Sequence, residues 1–506
     1  MLSRATAATP WGIDALAVQV EVDIRNGLPQ MQIVGLPDTA VRESRERVRA
    51  AVRNCGFRVP PRSIVVNLAP ADLRKAGNHL DLAIAMSLLA ALGELPPECL
   101  EGRIFCGELG LDGGIRPIRG GLAIADLGRR LEVAELLVPV ANAGEAAALG
   151  EVTVVGVGSL GEAIEHVLGV TPLKPALGVP LSGDLSSRGP DLADVRGQET
   201  AKRCLEIAAA GGHNLLLVGP PGAGKTMLAR RLAGLLPPLT LVESIELTKI
   251  RSLIADEPPS NLLATRPFRS PHSGISSAAM IGGGSIPRPG EVSLAHTGVL
   301  FLDELPEFRR DALEALRQPL EDGSVTVVRA RARMTYPARF SLVGACNPCR
   351  CGFFGDSRNE CVCTPLQVEG YRGRLSGPML DRIDLQVEVP AVQLQELKAS
   401  PGEPSRTVAL RVAAARSIQN ERFDGLLSNS NAEMTNDELD RFCPPDKAAS
   451  RLLEEAFERF GLSARAFNRV LKVARTIADL DSAEGIGTGH VAEAIQYRSL
   501  DRRPPD

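Results

Sequence analysis

Hydrophobic and polar positions follow several different rhythms along this 506-residue chain, and the changes of rhythm mark its parts. From Ala17 to Ile24 apolar and polar residues take turns, the period-2 pattern of a half-exposed strand. Between Thr39 and Arg53 the spacing of Val41, Val48 and Val52 predicts an amphipathic helix that ends before Asn54 and Gly56. Leu80 to Leu92 is the longest apolar stretch; Asp81 interrupts it and it is too short to span a bilayer. Three runs read as buried strands: His213–Val218, Gly298–Leu302 and Arg339–Cys346. Good helix formers, Met227–Ala233, come soon after the first. Towards the C-terminus Leu452, Phe457, Phe460, Phe467, Val470 and Leu471 recur at partly helical spacing and are expected in a core.

These rhythms divide the chain into an α/β unit over 1–170, a Pro/Gly/Ser-rich linker over 171–190, a second α/β unit over 191–392, a polar connection over 393–406 and a helical region over 407–506. Internal repeats and low-complexity tails are absent from the sequence.

Chemistry concentrates at the ends of the three buried runs. The first leads into Gly219-Pro220-Pro221-Gly222-Ala223-Gly224-Lys225-Thr226, the phosphate-binding pattern G-x-x-x-x-G-K-[ST]. Strand, glycine loop and helix in that order aim backbone N–H groups and a helix N-terminus at phosphate oxygens. Lys225 is expected to reach the β- and γ-phosphates, and the Thr226 hydroxyl to ligate Mg²⁺. The second run ends in Asp303-Glu304. Packing explains an acidic pair at the end of an apolar strand poorly, since carboxylates are rarely buried without a partner. With a P-loop upstream, Asp303 is expected to orient Mg²⁺ and Glu304 to polarise the attacking water. The third run ends at Asn347. The order P-loop, acidic strand, polar-tipped strand resembles that of additional-strand ATPases, which implies that Asn347 helps hold that water as sensor 1; a simple turn residue before Pro348 is the alternative. Further on, Leu380-Asp381-Arg382-Ile383-Asp384 offers Arg382 as an arginine finger, or as a partner of Asp381 or Asp384 on a solvated face.

Together with these motifs, Arg266-Pro267-Phe268-Arg269-Ser270-Pro271-His272, Pro287–His296, Asn347-Pro348-Cys349-Arg350-Cys351-Gly352 and Leu462–Leu480 make the chain resemble the ComM/YifB-type Mg-chelatase-like AAA+ ATPases over nearly its whole length. The resemblance implies an AAA+ P-loop core with a C-terminal helical lid and a hexameric ring of identical subunits. It also implies ATP and Mg²⁺ as cofactors, and helicase or branch-migration activity on single-stranded or branched DNA during natural transformation. Arg465 would be the sensor-2 residue, and Ser273–Gly290 the helix-2 insert. Residues 1–170 resemble the Lon-type proteolytic domain, of ribosomal-S5-like fold, at Lys75–Ala85 and Gly107–Ile118. His79 stands there in place of the serine nucleophile, and Arg119-Gly120-Gly121 where the lysine base would follow, so this unit is expected to lack peptidase chemistry.

Composition changes this picture at a few points. A formal charge of −4 removes any whole-chain electrostatic argument for nucleic acid, so DNA binding must come from local basic segments. Val325–Thr335 alternates like a hairpin before the third buried run, and Arg329, Arg331 and Arg333 are expected on one face of that strand as a three-charge row; a solvated edge strand is the alternative. On the helix Thr39–Arg53 the arginines are interleaved with Glu43 and Glu46, as on a solvated face rather than a DNA patch. Cys349, Cys351, Cys361 and Cys363 form two C-x-C pairs, tighter than the usual C-x₂-C; Zn²⁺, a metal-free thiol loop or two labile disulfides all remain open. No signal-peptide pattern or membrane span is present, and a cytoplasmic protein is expected. The competing function is a chelatase-type ATPase driving Mg²⁺ insertion through a partner.

Overall fold

A computed structural model of the chain describes residues 2–498, apart from 72–74, 76, 179–188, 255–260, 285–286, 330–331, 357, 398–399, 427 and 462. The middle of the 171–190 linker and residues 499–506 therefore lie outside the described residues.

The N-terminal region folds around a seven-stranded mixed sheet in the order Gln30–Val34, Ser63–Ala69, Asp14–Arg25, Leu2–Trp11, Arg103–Phe105, Glu135–Pro139, Val154–Val157. Alternation along Asp14–Arg25 turns Val18, Val20 and Val22 inward. The apolar stretch becomes the helix Asp81–Leu92, buried from Asp81 to Ala91, so it serves as a core element rather than a surface one. A leucine in such a helix contributes about 1.5–3 kcal/mol by leaving water, and Leu88→Ala would cost about 2–5 kcal/mol. Asp81 starts this helix without solvent; Arg47 Nε donates to it at 2.8 Å and the Leu109 N–H at 3.3 Å. The basic helix runs Thr39–Asn54, capped by Asp38, with Val41, Val48 and Val52 fully buried. His79 is a packing residue: its ring meets the Thr9 hydroxyl at 3.2 Å, and burial pushes its pKa down to about 4.

Residues 191–397 hold a five-stranded parallel sheet, ordered Phe268–Arg269, Val299–Leu302, Ser341–Cys346, Leu215–Val218, Leu385–Glu388. The strand ending at Asn347 thus lies between the P-loop strand and the acidic strand, which brings the tips of all three together at the carboxyl edge, where ligands bind in open α/β sheets. Both faces are covered, which is why these strands read as unbroken apolar runs. Leu215, Leu217, Phe301 and Val343 pack under the helices Glu199–Gly211 and Ser405–Arg422. Leu216, Leu300 and Leu342 face Met280, Leu313 and Tyr336 on the other side.

The C-terminal helices Ser405–Arg422, Lys447–Phe460, Ala464–Leu480 and Thr488–Gln496 share that first core with the parallel sheet through Val408, Val412, Val470 and Ile477. Of the six apolar positions expected in a core, Val470 and Leu471 are buried; Phe457 is 39% exposed, its ring edge-on to Phe467 at 5.9 Å. The connection before this region is pinned: the Ser405 N–H donates to Asp191 Oδ1 at 2.7 Å and the Leu192 N–H to Ser405 Oγ at 2.6 Å.

The three-arginine row is not formed on one strand. Ser324–Arg329 and Ala332–Pro337 make an antiparallel hairpin whose register pairs Val328 with Arg333 and Arg329 with Ala332. Arg329 and Arg333 therefore sit on opposite strands, because the chain reverses between them. Arg331 lies outside the described residues, as does the Arg329 side chain. The insert contains the helix Ser277–Ile281 and a short antiparallel pair, Gly282–Gly283 with Arg288–Pro289. Tyr336 of the hairpin donates to the Pro287 carbonyl at 2.8 Å, so insert and hairpin are joined. The N-terminal unit docks here too: Trp11 and Ile13 pack on the same core, Lys249 meets Asp126 at 2.8 Å, and the Gly120 N–H donates to Ser252 Oγ at 3.0 Å.

Candidate active site

The loop Gly219–Gly224 needs its glycines for two separate reasons. A Cβ on Gly219 would sit 2.1 Å from the Val389 carbonyl oxygen, so that glycine allows a close backbone approach. Gly222 and Gly224 instead have φ of +78° and +91°, and nothing crowds either one; the left-handed backbone is the requirement. Helix Lys225–Leu235 begins at once, and its first-turn N–H groups have no intrahelical partner. Those N–H groups and the open glycine faces form the kind of cradle a polyphosphate fits. Pro221, Gly222, Lys225, Thr226, Asp303, Glu304 and Asn347 line the cleft, of about 490 Å³.

Lys225 is 9% exposed. Its ammonium donates to the carbonyls of Gly219 at 2.7 Å and Pro220 at 3.0 Å, and to Asn347 Oδ1 at 3.1 Å. Three donors meet three acceptors, none of which carries a full charge. Burial accordingly pushes the lysine pKa down, against the pull of the Cys346, Asp303 and Glu304 side chains. An anionic phosphate oxygen is the stronger acceptor for such a cation. Asn347 thus touches the P-loop lysine directly.

Thr226 Oγ1 donates to Asp303 Oδ2 at 2.8 Å. A hydroxyl from the helix and a carboxylate from the acidic strand converge there, the oxygen pair suited to Mg²⁺. Asp303 Oδ1 also accepts from the Glu304 N–H at 3.0 Å, which fixes its orientation. Glu304 has a φ of +52°, strained for a residue with a Cβ, and its side chain is exposed at the mouth of the cleft. Strain of about 1–3 kcal/mol is typical where function overdetermines the backbone.

Neither Arg382 nor Arg465 lines this cleft. Arg382 is 6% exposed, and its guanidinium donates to the Pro378 carbonyl and pairs with Glu321, so its partner is neither Asp381 nor Asp384. A finger acting on a neighbour's nucleotide requires that pair to open. Arg465 is exposed on the first turn of the helix Ala464–Leu480. The four cysteine sulfurs lie within 4.8 Å of one another, immediately after Asn347.

Two features of the site carry no local sequence signal. A Cβ on Gly352 would meet Pro221 Cδ at 2.7 Å, so the cysteine loop rests on the P-loop. Asp384, 3% exposed, accepts from the Asn214 N–H at 3.0 Å and pairs with Arg469. That ion pair ties the helix of Arg465 to the start of the P-loop strand.

Family models match the chain in three blocks: magnesium chelatase, subunit ChlI, over residues 191–397; subunit ChlI of Mg-chelatase over 20–142; and magnesium chelatase, subunit ChlI C-terminal, over 402–498. YifB of Salmonella typhimurium is 46% identical over 97% of this chain and 96% of its own length. The competence protein ComM of Haemophilus influenzae is 43% identical over the same two shares. The magnesium-chelatase 38 kDa subunit of Rhodobacter capsulatus is 28% identical over 38% of this chain and 54% of its own length.

Proposed function

The chain belongs to the Mg-chelatase-like family that includes the YifB and ComM proteins, and from that premise we propose that it is an ATP-dependent DNA motor working as a ring of identical subunits. The observation that carries the hydrolytic half is the convergence of Lys225, Thr226, Asp303, Glu304 and Asn347 on one cleft. ATP would lie along the glycine loop and the start of the helix, with Mg²⁺ held by Thr226 and Asp303 supplying charge neutralisation at the phosphates. Lys225 turns from its carbonyl acceptors to the phosphate oxygens. Glu304, at the cleft mouth, takes the proton of the attacking water, and Asn347 positions that water beside the lysine. A neighbour's Arg382, released from Glu321, supplies positive charge to the transition state, and Arg465 serves the γ-phosphate as the helical region moves.

DNA is the favoured load for two reasons. One full-length relative is named a competence protein, whereas the chelatase subunit matches 38% of the chain. Insert and hairpin also share one core, so a shift at the insert moves the end of the hairpin where Arg329 pairs with Ala332 and Arg333 is exposed. Arginine contacts of this kind read phosphate, not sequence, and weaken with salt.

The test is migration of a labelled four-way junction by the purified full-length chain. The expected result is ATP-dependent migration that Lys225→Ala abolishes and Arg333→Ala weakens. Active ATP hydrolysis with the junction neither bound nor moved would favour the chelatase-type reading instead.

A further inference from the structure

We propose that Cys349, Cys351, Cys361 and Cys363 hold one Zn²⁺ in a closed four-thiolate site, and that this metal clasps the sensor end of the cleft to the P-loop.

The sulfur positions support the metal independently of any function. All four lie within 4.8 Å of one another. Cys349 is 3.3 Å from Cys351 and 3.7 Å from Cys361, and Cys351 is 3.6 Å from Cys361. A tetrahedron with Zn–S bonds of about 2.3 Å has edges of about 3.8 Å, so these separations need little change to close on one ion. The loop is built to bring the pairs together. Gly352, at φ +91°, turns the chain back so that its N–H donates to the Cys349 carbonyl at 3.1 Å. Cys349 is fully buried and the other three partly so, which leaves the sulfurs facing one another. On binding, each thiol gives its proton to solvent and each sulfur donates a pair to the metal. Four protein ligands leave no open coordination position, so the ion is structural rather than catalytic.

Its mechanical consequence rests on the ATPase reading. Inward, the Cys349–Gly352 turn presses on Pro221: a Cβ at Gly352 would lie 2.7 Å from Pro221 Cδ and 4.0 Å from Asn347 Cγ. Outward, Cys363 is followed by Thr364, which caps the helix Pro365–Arg372 in a reciprocal pair with Gln367. Arg372 at the end of that helix returns, its Nε donating to the Pro348 carbonyl at 3.3 Å and its guanidinium lying 5.2 Å from the Phe354 ring centre. The chain from Asn347 to Arg372 is therefore a closed loop with the four sulfurs at its waist. Zinc fixes that waist, and through Gly352 it fixes the floor beneath Pro221 and Asn347.

The test is metal analysis of the full chain purified without chelator, with zinc release by an organomercurial followed in a dye assay. One zinc per chain is expected. Cys361→Ser and Cys363→Ser are each expected to lose it, and Co²⁺-grown protein to show the intense ligand-field bands of a tetrahedral thiolate site. Four reduced, reactive thiols without stoichiometric metal, or two disulfides by mass spectrometry, would overturn the site. The Co²⁺ spectrum reads the wild-type chain, so a variant that fails to fold does not decide the matter. Stripping zinc should lower ATP turnover by about tenfold or more, with recovery on adding Zn²⁺ back. Turnover indifferent to zinc would overturn the clasp, whereas a zinc-loaded chain with no ATPase activity would overturn the ATPase reading and leave the metal site standing.

Discussion

Replacing Asp384 with asparagine should separate nucleotide binding from turnover, because this buried carboxylate joins the helical region to the P-loop strand. Asp384 meets the Asn214 N–H at 3.0 Å, the Arg469 guanidinium, and His213 Nδ1 at 3.5 Å; His213 in turn meets Thr476 at 2.8 Å. Burial opposes ionisation, yet the Arg469 guanidinium and the His213 and Asn214 contacts hold the carboxyl well below the usual carboxylate range. Asparagine keeps the shape and an acceptor for Asn214 but leaves Arg469 without its counter-charge. Breaking a buried pair from one side costs about 3–5 kcal/mol. The Arg469 side chain is 23% exposed, so water recovers part of that and about 2–4 kcal/mol is expected.

Hydrogen exchange across Leu215–Val218 and Leu385–Glu388 reads this locally, without assuming that so large a chain unfolds in one step. Protection should fall in Asp384→Asn and in Arg469→Gln, and the double variant should recover about 1–3 kcal/mol relative to the sum of the singles. A carboxyl with a depressed folded pKa contributes stability that is present above its unfolded pKa and lost as pH falls through the folded one. The gap between wild type and Asp384→Asn should therefore hold steady down to about pH 4 and close below it. ATP turnover should drop about tenfold with ATP affinity little changed. Wild-type protection in Asp384→Asn, or strictly additive singles, would refute the tie.

Three further outcomes follow from the same geometry. Glu304→Gln should bind a fluorescent ATP analogue like wild type and hydrolyse ATP about a hundredfold more slowly or worse, and near-normal steady-state turnover would remove Glu304 from its role. Thr226→Ala deletes the hydroxyl that donates to Asp303, so the Mg²⁺ concentration for half-maximal ATPase should rise, and an unchanged Mg²⁺ titration would contradict the metal assignment. His79, its pKa pushed down to about 4 by burial, resists a proton that the unfolded chain accepts below about pH 6.5, so stability falls with pH over that span. His79→Gln should remove roughly 2 kcal/mol of the loss between about pH 8 and pH 5 in urea melts followed by Trp11 fluorescence; identical pH profiles would show that another group is responsible.

The parts of the site that sequence revealed are those whose chemistry is local. The P-loop, Asp303-Glu304 and Asn347 each end an apolar run, and the sheet order brings those ends together. The four cysteines were visible for the same reason. What stayed hidden depends on distant partners. Arg382 finds Glu321, and Asp384 finds Arg469, across long stretches of chain that no spacing rule connects. The hairpin over Val325–Thr335 was legible, but not where it turns: the reversal falls between Arg329 and Ala332, and alternation alone does not locate it, so the arginine row does not form on one strand. Phe457 kept a helical spacing but is 39% exposed, since the helix Lys447–Phe460 turns Ala449, Leu453 and Ala456 inward and leaves Phe457 at the margin beside Phe467. Docking of Trp11 and Ile13 against the hairpin had no sequence sign, because any surface can bury two apolar residues.

The most direct test of a DNA-stimulated motor is the steady-state ATPase rate of the purified chain, alone and with single-stranded, duplex or four-way-junction DNA. Mg²⁺-dependent hydrolysis is expected, accelerated severalfold by at least one of these DNAs and lost in Glu304→Gln. Absence of hydrolysis, or one rate shared by all four conditions, would contradict it.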